Sequence, residues 1–137
     1  MAEEVKKLVG IIAVSHSGKI AEGLDELAKE LVPREVPLIS IGGSEDGRIG
    51  TDIDEIVEAV KEIYNDDGVI IIGDVGSSLM NSKTALEVLM LEGFEKVVIT
   101  NAPLVEGTMI AVVESNLGKD LEIIKEKIES KRLIELL

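Results

Sequence analysis

His16 is the only histidine in this sequence of 137 residues. It stands in Ser15-His16-Ser17, where the apolar run Leu8 to Val14 stops and a helical pattern begins. Histidine is the side-chain type that changes charge near neutral pH. A neutral imidazole nitrogen attacks a phosphoryl group when its other nitrogen is held by an acceptor. Asp74, in Asp74-Val75-Gly76-Ser77-Ser78, is the natural acceptor. It would fix the tautomer and stabilise the positive ring after phosphorylation. The chemistry also needs donors for the phosphoryl oxygens, because phosphoryl transfer asks a protein mainly for position and charge stabilisation. Ser17, Gly42, Gly43, Gly76, Ser77 and Ser78 are the candidate phosphoryl-binding residues. They lie in Gly/Ser loops leading into predicted helix starts, where backbone N–H groups favour anions.

Each of these residues has a plainer reading. A lone loop histidine can be a solvent-facing residue. Gly42, Gly43 and Gly47 can serve only to allow positive φ in a tight connection. Asp74 can bond its own backbone, Ser77 and Ser78 can be N-caps, and Arg48 can be a solvated surface residue. A Ser-His-Asp triad from Ser15, Ser17 or Ser77 with His16 and Asp74 is a further alternative, although no G-x-S-x-G turn supports it. There is no G-x-x-x-x-G-K-[ST] motif. Gly42-Gly43-Ser-Glu-Asp-Gly47 does not fit G-x-G-x-x-G and follows the second predicted strand rather than the first.

The elements that must position these residues are legible in the hydrophobic pattern. Leu8 to Val14, Pro37 to Ile41, Val69 to Gly73 and Lys96 to Thr100 are nearly continuous in Val and Ile, as strands covered on both faces should be. Helical stripes separate them: Ile20, Leu24, Leu27 and Leu31; Ile53, Ile56, Val57, Val60 and Ile63; Leu79, Leu86, Leu89 and Met90. Thr51 and Asp54 form a weakened capping box. The βαβαβαβ order predicts an α/β fold, with an open, mostly parallel sheet of at least four strands and helices on both faces. All strand C-termini then share one edge. If the second and third strands flank the first, the loops after Val14, Ile41 and Gly73 converge at a topological switch point. Beyond Pro103, Glu106 to Leu117 reads as a helix and Asp120 to Leu137 as another. The latter ends in Leu133, Ile134, Leu136 and Leu137, which need cover from the domain itself or from a second subunit; a homodimer is expected.

Composition narrows the function classes. The length suits one domain spanning 1–137, able to bury roughly 70% of its unfolded surface. With 45% apolar residues but one Phe, one Tyr and no Trp, the core must be aliphatic. No cysteine means no disulfide or thiolate metal site, and no resident metal or cofactor is expected. The net charge of −13 argues against nucleic acid and anionic membranes as partners and favours a basic protein. Met1-Ala-Glu-Glu-Val-Lys-Lys7 does not read as a signal peptide, and no apolar run reaches the roughly 20 residues of a membrane span. A cytoplasmic protein is expected.

Four blocks carry a family resemblance: Val14-Ser-His-Ser17 with Ile20-Ala-Glu-Gly23; Gly42-Gly43-Ser44-x-Asp46-Gly47-x-Ile49-Gly50-Thr51; Asp74-x-Gly76-Ser77-Ser78-x-x-Asn81; and Ala102-Pro103-Leu104-Val105-Glu106-Gly107. In this order and spacing the chain resembles the DhaM family, the phosphotransfer subunits of phosphoenolpyruvate-dependent dihydroxyacetone kinases. Their domain is similar to the mannose-type EIIA domains of the sugar phosphotransferase system. The resemblance runs to about Gly107 and more weakly beyond. Ser44, Val75 and Thr108 stand where Thr, Leu and Ala are common, and none of these departures removes a proposed chemical group.

The resemblance implies a phosphoenolpyruvate–glycerone phosphotransferase subunit with a phosphohistidine intermediate. His16 would take a phosphoryl group from the phosphocarrier HPr and pass it to ADP on the DhaL subunit. The ATP so formed would phosphorylate dihydroxyacetone held by DhaK. Asp74 would pair with His16, and the domain would be a homodimer. Some members carry fused HPr and enzyme I-like domains; neither is matched in this sequence, so a separate donor protein is expected. The sequence leaves two other readings open: a mannose-type EIIA sugar-transport component, or a non-catalytic module that senses phosphorylation state.

Overall fold

The computed structural model describes residues 8–32, 36–43 and 51–130. Ser44, Gly47, Arg48 and the apolar end at Leu133, Ile134, Leu136 and Leu137 lie outside the described residues. Strands β1 (Gly10–Ser15), β2 (Leu38–Gly42), β3 (Val69–Gly73) and β4 (Val97–Thr100) form one sheet in the order β2-β1-β3-β4. Every pairing is parallel. Helices α1 (Gly18–Leu31), α2 (Ile53–Ile63), α3 (Gly76–Leu91), α4 (Leu104–Asn116) and α5 (Leu121–Ile128) connect and cover the strands. β1 therefore lies between β2 and β3, and the chain reverses direction across the sheet beside β1, the condition for a switch point.

The Val/Ile runs have a direct cause. Successive strand residues face opposite sides of a sheet, and here both sides are packed. Ile11 and Ala13 of β1 and Ile70 and Ile72 of β3 meet Leu24 and Ala28 of α1, Val112 of α4 and Ile124 of α5. Ile12, Val14, Val69 and Ile71 meet Ile56 and Val60 of α2 and Ala85 and Leu89 of α3. β1 and β3 are buried along their whole length.

The helices depart from the expected stripes in places. On α1 the inward residues are Ala21, Leu24 and Ala28, while Ile20, Leu27 and Leu31 are 48%, 45% and 47% exposed. The two alanines let the helix lie close against β1, β2 and α4, and the larger residues cannot share that narrow face. α2 matches its stripe at Ile56, Val57 and Val60. However, its N-cap is Asp52, whose carboxylate accepts the N–H groups of Asp54 at 2.9 Å and Glu55 at 3.3 Å. The expected Thr51–Asp54 box is not formed, because the Thr51 hydroxyl accepts from the Asn81 side chain of α3. On α3, Leu89 is buried while Met90 is exposed, and Ser82 and Ala85 take inward positions. α4 begins at Leu104, two residues before Glu106. α5 stops at Ile128 instead of running on through residues 129 and 130. There Glu129 turns its carboxylate to the Thr100 hydroxyl at 2.8 Å and the Lys125 ammonium at 2.9 Å.

Candidate active site

The sheet register brings the chemistry together. Val14 and Gly73 are Cα partners, as are Ser15 and Gly42. One residue past the β3 end, the Asp74 N–H donates to Val14 O at 3.1 Å, extending the ladder by one rung. This sets Asp74 beside Ser15 and His16. His16 Nδ1 lies 2.8 Å from Asp74 Oδ1. The His16 backbone N–H donates to Asp74 Oδ2 at 2.8 Å. Ser15 Oγ donates to the same oxygen at 3.0 Å and accepts the Ser17 N–H at 3.1 Å. The Val75 N–H donates to Asp74 Oδ1 at 2.7 Å. Asp74 thus bonds both its own loop and the histidine.

Burial alone would raise the Asp74 pKa. Hydrogen bonds from the N–H groups of His16 and Val75 and from the His16 ring, together with the nearby Ser78 hydroxyl, outweigh it and lower the value from 3.8 to about 2. Near neutral pH the group is a carboxylate, which only accepts hydrogen bonds. The ring nitrogen facing it must therefore carry the proton. A neutral imidazole in that tautomer has its lone pair on Nε2. The pair is partly open, with side chains 20% and 18% exposed. The arrangement can therefore supply an oriented nitrogen nucleophile whose proton stays on the far side of the ring.

The candidate phosphoryl-binding residues divide. Ser17 is the N-cap of α1, its hydroxyl accepting the Ile20 N–H at 3.3 Å. Gly42 and Gly43 border the histidine turn. A Cβ on Gly42 would stand 2.5 Å from Ser17 O and 2.8 Å from Ser15 O, closer than any side chain tolerates, so glycine is required for that approach. Gly43 has φ of 75°, the left-handed region that favours glycine. Gly76 and Ser77 are the first two residues of α3, and space around the Gly76 Cα is open. Helix positions of this kind have N–H groups with no intrahelical acceptor. Ser78 has a different position. It is buried, and both its N–H (2.9 Å) and its hydroxyl (2.8 Å) are turned to Val75 O. It braces the loop carrying Asp74 rather than offering those donors to a ligand. Neither Ser77 nor Ser78 is an N-cap, since Val75 occupies that position without a side-chain cap bond.

Two contributions were not among the candidate site residues. Ser15 entered only as a triad nucleophile, yet its hydroxyl proton goes to Asp74 and the residue is fully buried. That geometry excludes a triad built on Ser15. A serine closing an otherwise Val/Ile strand was the available signal. Asn81, one of the motif residues, ties α3 to Thr51 at the start of the α2 connection. Among the described residues there is no cluster of three metal-ligating side chains and no helix long and apolar enough to cross a membrane.

Known proteins match this chain in sequence and fold. Residues 10–125 fit the EIIA-man family, described as the fructose IIA component of the phosphotransferase system. Over 121 residues the chain is 40% identical to the phosphoryl donor subunit DhaM of PEP-dependent dihydroxyacetone kinase 2 from Listeria innocua, covering 88% of this chain and 97% of that protein. It is likewise 40% identical over 126 residues to the DhaM phosphotransferase subunit of the PTS-dependent dihydroxyacetone kinase from Lactococcus lactis, covering 92% and 97%. The Escherichia coli DhaM is 37% identical over 118 residues, which span 84% of this chain but 25% of that longer protein. A crystal structure of an EIIA component from Streptococcus agalactiae has the same fold, with a TM-score of 0.65 at 14% identity over 95% of each chain. The chain belongs to the EIIA-man family and, within it, to the DhaM phosphoryl donor subunits of dihydroxyacetone kinases.

Proposed function

We propose that His16 carries the phosphoryl group of a dihydroxyacetone kinase system as a phosphohistidine formed on Nε2. The observation that carries this reading is the 2.8 Å contact between His16 Nδ1 and Asp74 Oδ1. In the forward step Nε2 forms a bond to phosphorus as the donor's P–N bond breaks. The proton on Nδ1 remains against Asp74, whose negative charge balances the imidazolium so produced. In the second step a terminal phosphate oxygen of ADP attacks, and the His16 P–N bond breaks. Gly42, Gly43, Gly76, Ser77 and the Ser17 hydroxyl surround the histidine turn or open the neighbouring helix and are the donors proposed to hold the phosphoryl oxygens.

The phosphocarrier HPr is the proposed donor, ADP on DhaL the recipient and DhaK the subunit that binds dihydroxyacetone. Residues 1–137 act as one phosphotransfer domain in the cytoplasm, and two copies form a homodimer. The exposed apolar residues Met80, Val88, Met90 and Leu91 of α3, the last 89% exposed, support a second copy as cover. Incubation with phosphoenolpyruvate, enzyme I and HPr should give one acid-labile, base-stable phosphate per chain. Labelling that persists in His16→Gln would overturn the assignment. Sedimentation of the purified protein as a monomer at micromolar concentration would overturn the dimer.

A further inference from the structure

We propose that Ser15 is a positioning residue for phosphoryl transfer, its buried hydroxyl locking the Asp74 carboxylate in the orientation that holds the His16 ring. The inference rests on the reading of His16 as phosphoryl acceptor. A carboxylate offers about four lone-pair sites; four donors lie on those of Asp74, and the Ser78 hydroxyl, bonded to Val75 O, stands close by. Oδ1 takes the His16 ring at 2.8 Å and the Val75 N–H at 2.7 Å. Oδ2 takes the His16 N–H at 2.8 Å and the Ser15 hydroxyl at 3.0 Å. Two donors on Oδ2, both from the β1 end, fix the rotation of the carboxylate about its Cβ–Cγ bond. That rotation decides whether Oδ1 reaches Nδ1.

Ser15 does more than fill space. The other β1 residues are Gly10, Ile11, Ile12, Ala13 and Val14, all buried, and a hydroxyl at the end of such a strand costs stability unless bonded. Here it is bonded twice, as donor to Asp74 and as acceptor from Ser17 N–H. The second bond ties the same hydroxyl to the N-cap residue of α1. One oxygen therefore couples the histidine turn, the α1 start and the β3–α3 loop.

Because His16 is the only histidine, imidazole nitrogen NMR of labelled protein reports this ring alone. The unphosphorylated protein should show one tautomer with the proton on Nδ1. Ser15→Ala should show a tautomer mixture and phosphorylation from HPr slowed about tenfold or more, the order expected for losing a hydrogen bond to a charged group. Ser15→Thr, which keeps the hydroxyl, should restore both. An unchanged spectrum or an unchanged rate in Ser15→Ala, or failure of Ser15→Thr to restore them, overturns the proposal. Should Ser15→Ala not fold, Ser15→Cys keeps the volume with a far weaker donor and is judged by the same pair of readings. If the unaltered protein takes no label at all, the phosphocarrier reading fails. The spectrum then decides by itself whether Ser15 governs the imidazole.

Discussion

Asp74 grips His16 at two points, taking the ring nitrogen on Oδ1 and the backbone N–H of the same residue on Oδ2, each at 2.8 Å. The first contact sets the tautomer and the second sets where the ring is rooted. Asp74→Asn keeps the size but removes the charge, and the amide can present a donor to Nδ1 where only an acceptor works. Phosphorylation of His16 should slow by about 10²- to 10⁴-fold, on the scale of losing the carboxylate behind a reacting imidazole. Circular dichroism should show the fold retained. Unaltered transfer kinetics in stopped-flow labelling would remove Asp74 from the mechanism.

The same carboxylate makes a stability prediction. Its pKa is lowered on folding from 3.8 to about 2, so between these values the unfolded chain binds the proton more tightly. The contribution is fully present above about pH 5 and is lost as pH falls through about 2. With the side chain 18% exposed, solvent screening limits it to about 1–2 kcal/mol. Other carboxylates titrate in this range, so the quantity to measure is the difference between the unaltered protein and Asp74→Asn in urea unfolding. That difference should shrink steadily from pH 6 to pH 2.5. A difference independent of pH would show that Asp74 is not stabilised as a carboxylate.

Leu24 and Leu27 test where the sequence was readable and where it was not. Apolar spacing located α1 and put both residues in one helical stripe; only Leu24 is buried, at 3% exposure against 45% for Leu27. Periodicity reports which residues are apolar, whereas the width of the inward face is set by how closely the helix approaches its neighbours. Leu24→Ala should cost about 2–5 kcal/mol and Leu27→Ala within about 0.5 kcal/mol in chemical denaturation. Equal costs would reverse the helix face.

The strands were legible because burial on both sides leaves only Val, Ile and their like acceptable, and each expected run lies within two residues of its strand. His16 and Asp74 were legible because they are isolated chemical groups at strand ends. The second layer was not. Ser15 closes β1 and Ser78 lies in the first turn of α3, each beside other serines, and composition does not tell which hydroxyl faces outward. Their roles follow from the one-rung offset that places Asp74 beside Ser15, and no sequence period encodes that offset. Nor could spacing separate Thr51 from Asp52 as N-cap, since the choice depends on Asn81 reaching across from α3.

Gly42 and Gly76 give the last test, since both are glycines proposed beside the phosphoryl group but they differ in their surroundings. A methyl on Gly42 would meet Ser17 O at 2.5 Å and Ser15 O at 2.8 Å, both backbone atoms of the histidine turn. Those atoms cannot rotate away, so β2 and the turn must separate. Gly42→Ala should cost about 1–3 kcal/mol, typical of overpacking, and should slow His16 labelling because the turn that roots the ring has moved. A methyl on Gly76 meets nothing within 4 Å, and Gly76 is not among the positive-φ glycines. As the first residue of α3, alanine there should leave stability unchanged or raise it by up to about 1 kcal/mol. If Gly76→Ala nonetheless slows labelling while the protein remains as stable, the added methyl is meeting the incoming phosphoryl group, which would place that group against the α3 start. Labelling at the unaltered rate in Gly76→Ala would instead assign the phosphoryl oxygens to the Gly42–Gly43 side of the turn.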